Sequence, residues 1–178
     1  MIYGEIARFY GDYSGKKCVI GYSVCGRAIF AMHVGADVGR QFIAVYAVHA
    51  REWITARLAL EHIARGIGKN FGGWVIPLLN PDGAEIAQTE DPLWKANGRG
   101  VDLNCNFDAR WGTGTRNTRR RGAENCIGDY PFSEPETLAL KNFTLKVMPC
   151  VTFAFHTKGG EIYWEFCGRG EKHGAELL

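Results

Sequence analysis

Apolar residues in this chain fall in short runs separated by polar, glycine-rich stretches. QFIAVYAV (41–48), GWVIPLL (73–79) and CVTFAFH (150–156) are continuously apolar and rich in β-formers, as strands buried on both faces should be. KCVIGYSVCGRAIFAMHVG predicts two strands around a turn at Gly26, and EIYWEF (161–166) a further alternating strand. In WITARLALEHIARGI (53–67), Ile54, Leu58, Leu60, Ile63 and Ala64 fall near helical spacing, with Gly66 and Gly68 as the stop. SEPETLALKNFTLKV opens on Ser133 with Glu136 three residues later; this capping-box pattern predicts a helix start and gives Glu136 a structural role. NPDG (80–83) predicts a turn, with Pro81 presetting φ and Gly83 tolerating φ above zero. Gln88 to Tyr130 is mostly irregular and polar, the kind of long loop that usually carries function. Strands interleaved with helices predict an α/β sandwich around a largely parallel or mixed sheet.

Composition changes this picture little. The chain has 178 residues, 46% hydrophobic and 22% charged, which suits one soluble domain with a real core. A net charge of +2 excludes a polyanion partner such as nucleic acid on bulk charge. The run Arg119-Arg120-Arg121, with Arg116 before it, reads as a solvated loop or, more sharply, as an attractor of acidic substrate. The first residues carry no basic-then-apolar leader pattern, and no stretch approaches the length of a membrane span, so a cytoplasmic protein is expected. The six cysteines form no C-x-x-C pair and read as reduced thiols, several of them buried.

The chemistry concentrates where an apolar strand gives way to a helix. His49 ends the first of the strongly apolar runs and Glu52 opens the helix, so the intervening turn brings both side chains to one side. Zinc sites that perform chemistry use three protein ligands and leave a position for water, and two histidines with one glutamate form one such set. His156 closes another apolar strand and is the candidate third ligand, since sites in open α/β sheets gather at the carboxyl ends of strands. His33 within a strand, His62 on the helix and His173 near the end are read as non-ligands.

VHAREW, NPDG, WKANGRGVDLNCNFDARWG, YPFSEPET and FAFH, in that order over about residues 1–166, resemble the successive motifs of the zinc metallocarboxypeptidases. The likeness is greatest to bacterial members related to γ-D-glutamyl-diamino-acid peptidases, which trim cell-wall peptides. It implies a single α/β catalytic domain, a three-layer sandwich with a mixed twisted sheet between helices. It also implies a peptide substrate and one zinc ion per chain, held by His49, Glu52 and His156. By the same resemblance Asp102 orients His49 and fixes its tautomer. Arg51 and Asn104 contact the substrate near its terminal carboxylate, a task that suits the planar guanidinium fork. Lys95, the more direct match, or Arg99 stabilises the developing oxyanion.

Two departures from the family pattern shape what is expected of this chain. Cys105 stands where the family carries an arginine that anchors the substrate's free carboxylate; Arg110 or the run at 119–121 would be the replacement anchor. No histidine lies near Cys105 in sequence to make it a nucleophile. The second departure is a late-strand glutamate, the family's general base, which has no counterpart after His156; a substrate-contacting tyrosine of the same region is also missing. Glu161 and Glu165 are the nearest carboxylates. The expectation is therefore a domain cut short before that base, with an uncovered sheet edge and a missing C-terminal segment or oligomer partner. A zinc peptidase leads the functional readings. The alternatives are a zinc deacylase or amidohydrolase acting on small acyl-amino acids, and an inactive zinc-binding pseudopeptidase.

Overall fold

The computed structural model describes residues 1–37, 39–66 and 70–163. Five strands, β1 (Lys17–Tyr22), β2 (Ala28–Gly35), β3 (Gln41–Tyr46), β4 (Gly72–Ile76) and β5 (Val151–Phe155), form one sheet in the order β1-β2-β4-β3-β5. β1 and β2 pair as an antiparallel hairpin, β2 lies antiparallel to β4, and β3 runs parallel to both β4 and β5. The sheet is mixed, as expected, and its parallel part carries the ends where the two candidate histidines lie.

Alternation along β3 explains the layering. Ile43 and Val45 join Ile29, Ala31 and Ile76 on one face, where Ala139, Leu140 and Phe143 of α4 (Pro135–Val147) cover them. Phe42, Ala44 and Tyr46 point to the other face with Met32, Val34 and Val75, under Ala59 and Ile63 of α2 (Ile54–Arg65). α1 (Ile2–Asp12) and α3 (Pro81–Thr89) complete that layer through Ile2, Ile6 and Ala84. Both faces of β3 are thus buried, which is why its sequence does not alternate. α4 sits so close to β1 that a Cβ at Gly21 would lie 2.5 Å from that of Ala139.

Three local expectations need correction, and one helix was not expected. NPDG is not a free turn but the start of α3: Asn80 caps it, its Oδ1 accepting the Gly83 N–H at 3.0 Å, with Pro81 in the first turn. Proline's fixed φ suits the first helical position as well as a turn, so the tetrapeptide alone does not separate the two. The capping box at Ser133 does not form. Pro135 sets the helix start, Glu134 is the cap residue without a side-chain bond, and Ser133 Oγ donates to Glu134 Oε1 instead. Residues 161–163 lie outside any strand, and 164–166 lie outside the described residues. Helix α1 is not among the expected elements, because Gly4 and Gly11 interrupt its apolar stripe and Met1 gives it no side-chain cap.

The described cysteines are all free thiols, of which only Cys126 is buried. No helix among the described residues is long and apolar enough to cross a membrane.

Candidate metal centre

The pairing of β3 with β5 places His49 and His156 side by side. Phe155 lies opposite Tyr46, His156 follows immediately, and His49 comes three residues beyond the end of β3. Between them in sequence, Ala47 adopts the left-handed conformation at φ 50°, which for a side chain other than glycine costs about 1–3 kcal/mol. Hydrogen bonds offset that strain. Ala47 N–H donates to Thr55 Oγ1 at 2.9 Å, and that hydroxyl donates to the Glu52 carbonyl, also at 2.9 Å. Asn80 N–H donates to the Ala47 carbonyl at 3.2 Å. The Asn80 amide then reaches the carbonyls of Val48 at 3.2 Å and Ala96 at 3.1 Å, tying the end of β3 to the loop that carries Lys95. A Cβ at Gly83 would lie 2.3 Å from the Ala96 carbonyl, so that loop packs directly on the start of α3.

These constraints aim three side chains at one point. Ligand atoms of His49, Glu52 and His156 all lie within 4.8 Å of one another. Glu52 Oε2 is 2.7 Å from His156 Nδ1 and 3.1 Å from His49 Nδ1. His49 Nε2 lies 3.4 Å from Asp102 Oδ1. His49 is 7% exposed, and neither of its ring nitrogens has a hydrogen-bond partner of acceptable geometry. Burial pushes the Glu52 carboxyl up, but hydrogen bonds from His156 and His49 outweigh it and hold the group at about 2. Asp102 is also held at about 2: burial opposes ionisation, and His49 and Lys95 overcome it. Burial lowers the His49 imidazolium while the facing Asp102 and Glu52 carboxylates raise it, and the net change is upward. Two buried carboxylates thus flank the His49 ring, Glu52 on its Nδ1 side and Asp102 on its Nε2 side.

The other expected residues separate into those at the cluster and those away from it. Lys95 Nζ lies 2.7 Å from Asp102 Oδ2 and 3.5 Å from Asn125 Oδ1, so Asp102 bridges the ammonium and His49. Arg99 Nη1 lies 3.7 Å from Glu134 Oε2, a carboxylate outside the cluster. Asn104 is exposed, and its backbone N–H donates to Asp102 Oδ1 at 3.1 Å. Arg51 pairs with Glu124 at 2.7 Å. The Cys105 thiol is pushed up to about 12 by burial and then by the Asp102 charge, which rules it out as a nucleophile at neutral pH. Arg119 and Arg121 staple their own loop, to the Asp129 carbonyl at 3.1 Å and carboxylate at 2.8 Å, as the solvated-loop reading has it. Glu161 is exposed and accepts a bond from the Tyr163 hydroxyl; Glu165 and His173 lie outside the described residues.

Residues 6–170 match the family model described as zinc carboxypeptidase. The chain belongs to that family. The γ-D-glutamyl-L-diamino acid endopeptidase 1 of Lysinibacillus sphaericus is 30% identical over 156 residues, 66% of this chain and 39% of that protein. A zinc carboxypeptidase of Simulium vittatum is 30% identical over 166 residues, 80% of this chain and 53% of its own length. The chain therefore spans about half or less of these two relatives. Among solved structures, bovine thrombin-activatable fibrinolysis inhibitor in complex with tick carboxypeptidase inhibitor shares the fold. It aligns at a TM-score of 0.80 and 23% identity, over 97% of this chain and 64% of that one. The murein-tripeptide amidase MpaA of Escherichia coli O157 aligns at 0.60 and 26%, over 84% of this chain and 64% of its own.

Zinc is the cofactor of this family, and His49, Glu52 and His156 fit it. Two imidazole nitrogens and a carboxylate are a donor set zinc favours. A cation on the Nδ1 side would satisfy one of the two buried His49 ring nitrogens without a hydrogen-bond partner, and Asp102 Oδ1 faces the other, Nε2, at 3.4 Å. Two members of this surface, Glu124 and Asn125, carry no signal in the sequence. They follow an arginine run, and their contacts with Arg51, Lys95 and Asp102 each span more than twenty positions.

Proposed function

We propose that this chain is the zinc-binding part of a peptidase that hydrolyses acidic peptides, with γ-D-glutamyl-diaminopimelate linkages of the cell wall as the first candidate substrate. The observation that carries this reading is the convergence of His49, Glu52 and His156 around a buried His49 nitrogen with no hydrogen-bond partner. Bound zinc supplies Lewis acidity, polarising the scissile carbonyl and lowering the pKa of water toward ~7. The remaining tasks belong to the chain. Asp102, with its charge 3.4 Å from His49 Nε2, would favour the tautomer protonated there and leave Nδ1 for the ion. Lys95, 2.7 Å from Asp102, would offer its ammonium to the oxygen that gains negative charge, whereas Arg99 faces Glu134, outside the cluster. Arg51, partly exposed and paired with Glu124, has a fork that suits a substrate carboxylate. Glu52 is committed to the cluster and Asp102 to its two cations, so neither is the general base, and that role stays unassigned.

Two alternatives use the same three ligands. A deacylase acting on small acyl-amino acids is favoured by Cys105 in the family's arginine position; a peptide-binding protein without hydrolysis would use the three residues to hold a peptide rather than cut it. One experiment separates the three readings: zinc content and hydrolysis of a γ-D-glutamyl-diaminopimelate peptide and of an N-acyl amino acid, with His49→Ala as control. The proposal expects about one zinc per chain and peptide cleavage, both lost in His49→Ala. Bound zinc with acyl-amino acid turnover alone would support the deacylase. Bound zinc without any turnover would leave the binding protein, and no zinc at all would remove all three.

A further inference from the structure

One acid paired with Arg51 has no part in the peptidase reading. Glu124 Oε1 lies 2.7 Å from Arg51 Nη1, and Arg51 sits between the candidate ligands His49 and Glu52 in sequence. The Glu124 side chain is 59% exposed and that of Arg51 21%, so the carboxylate reaches from solvent onto a half-sheltered guanidinium. The backbone presenting it is tied down. Asn125, left-handed at φ 61°, donates its N–H to Asp102 Oδ2 at 3.3 Å, and its carbonyl accepts the Thr118 N–H at 3.1 Å. The carbonyl of buried Cys126 accepts the Asp102 N–H at 2.9 Å. Glu124 is thus hung from the same aspartate that faces His49. The hydrogen bond from Arg51 holds the Glu124 carboxyl below its ordinary range, and the charges of Lys95 and Lys158 act in the same direction.

A carboxylate gripped by the arginine that directly precedes the candidate ligand Glu52, and in the field of two lysines, is chemically what a bound acidic substrate group would be. We propose that Glu124 is an internal stand-in for a substrate carboxylate: it occupies the anion seat of Arg51 in the free chain and sets specificity by competing for it. The inference rests on the reading of Arg51 as a substrate contact. A substrate must displace Glu124 to reach Arg51, so a strongly acidic group, or two carboxylates together, enters where a neutral side chain does not. The opposite role, with Glu124 capturing a substrate ammonium, is disfavoured by the three surrounding cations, which would repel it.

The test is calorimetric binding of N-acetyl-L-glutamate and of its uncharged diamide to the zinc-loaded 178-residue chain. Glu124 is exposed, so Glu124→Gln leaves the fold intact. That substitution should tighten dianion binding by ~2- to 5-fold, the scale of one partly exposed ion pair, and leave the diamide unchanged. The gain should shrink at high salt and vanish in an Arg51→Gln background. Unchanged or weaker dianion binding in Glu124→Gln, an equal gain for the diamide, a gain that survives Arg51→Gln, or no dianion binding to either chain would each overturn it. Zinc content measured on the same samples separates the two ideas. A chain that keeps a His49-dependent zinc but shows none of this loses the inference alone, whereas zinc independent of His49 removes the peptidase reading beneath it.

Discussion

Asp102 stands between two positive partners, with one carboxylate oxygen on His49 and the other on Lys95. Its side chain is fully buried, so removing its charge leaves both partners facing a pocket arranged for an anion. Asp102→Asn should weaken zinc affinity by about 10- to 100-fold, read by competition with a chelator, because the His49 tautomer is no longer fixed. Unchanged affinity would mean that His49 is oriented by its backbone alone. Lys95→Met is predicted to keep zinc while lowering kcat by about 10²-fold or more on any substrate the chain turns over; an equal loss in Arg99→Met would contradict the assignment. The candidate ligands were legible in sequence because His49 and His156 each end an apolar run, Glu52 follows His49 by three positions, and all three fall in motifs that match the family. The choice between Lys95 and Arg99 was not, because it depends on which of two nearby carboxylates, Asp102 or Glu134, each cation meets.

The elements hold the site through a few close approaches rather than through many. α3 touches the Lys95 loop where Gly83 meets the Ala96 carbonyl, and Asn80 bonds both that loop and the end of β3. Gly83→Ala should cost about 1–3 kcal/mol in urea unfolding, since the added methyl group meets backbone that cannot rotate away. A variant as stable as the parent would show that the loop can shift. All five strands were readable from apolar runs, and α2 from its helical spacing. The two misread starts, at residues 80 and 133, share a cause: polar residues beside a proline can serve a turn, a cap or a buried network, and only the partner decides. Glu136 is the clear case. It lies at a helix start, yet its oxygens accept the Val24 N–H at 3.1 Å and the Asn97 amide at 3.1 Å, from segments remote in sequence.

For the whole molecule, buried carboxylates set opposing responses to pH. Burial raises the Glu136 carboxyl above its ordinary 4.5, more than its hydrogen bonds lower it. The folded chain therefore holds that proton more tightly than the unfolded chain. The stability it contributes is complete below 4.5 and is lost as pH rises through the folded value. Glu52 and Asp102, both held at about 2, act in the other direction: their contribution is present above their ordinary values of 4.5 and 3.8 and is lost as pH falls toward 2. Urea unfolding of the metal-free chain should show stability declining on both sides of a mildly acidic optimum. Glu136→Gln should shrink the alkaline-side decline and leave the acid-side decline in place; an unaltered alkaline side would refute the assignment.

β5 is the outermost strand of the sheet among the described residues, with Val151 through Ala154 exposed, and His156 hangs from its end. Its neighbour β3 is largely buried and leads to His49 three residues beyond its end. An ion gripping both histidines is a rivet through the margin of the sheet. Peeling that strand away would then require releasing the ion, so amide protons at 152–155 should exchange more slowly once zinc is added, while those of the distant β1 hairpin should not change. Seen this way, the chemistry and the integrity of the border are one property, and a chelator would fray the fabric where it silences the site.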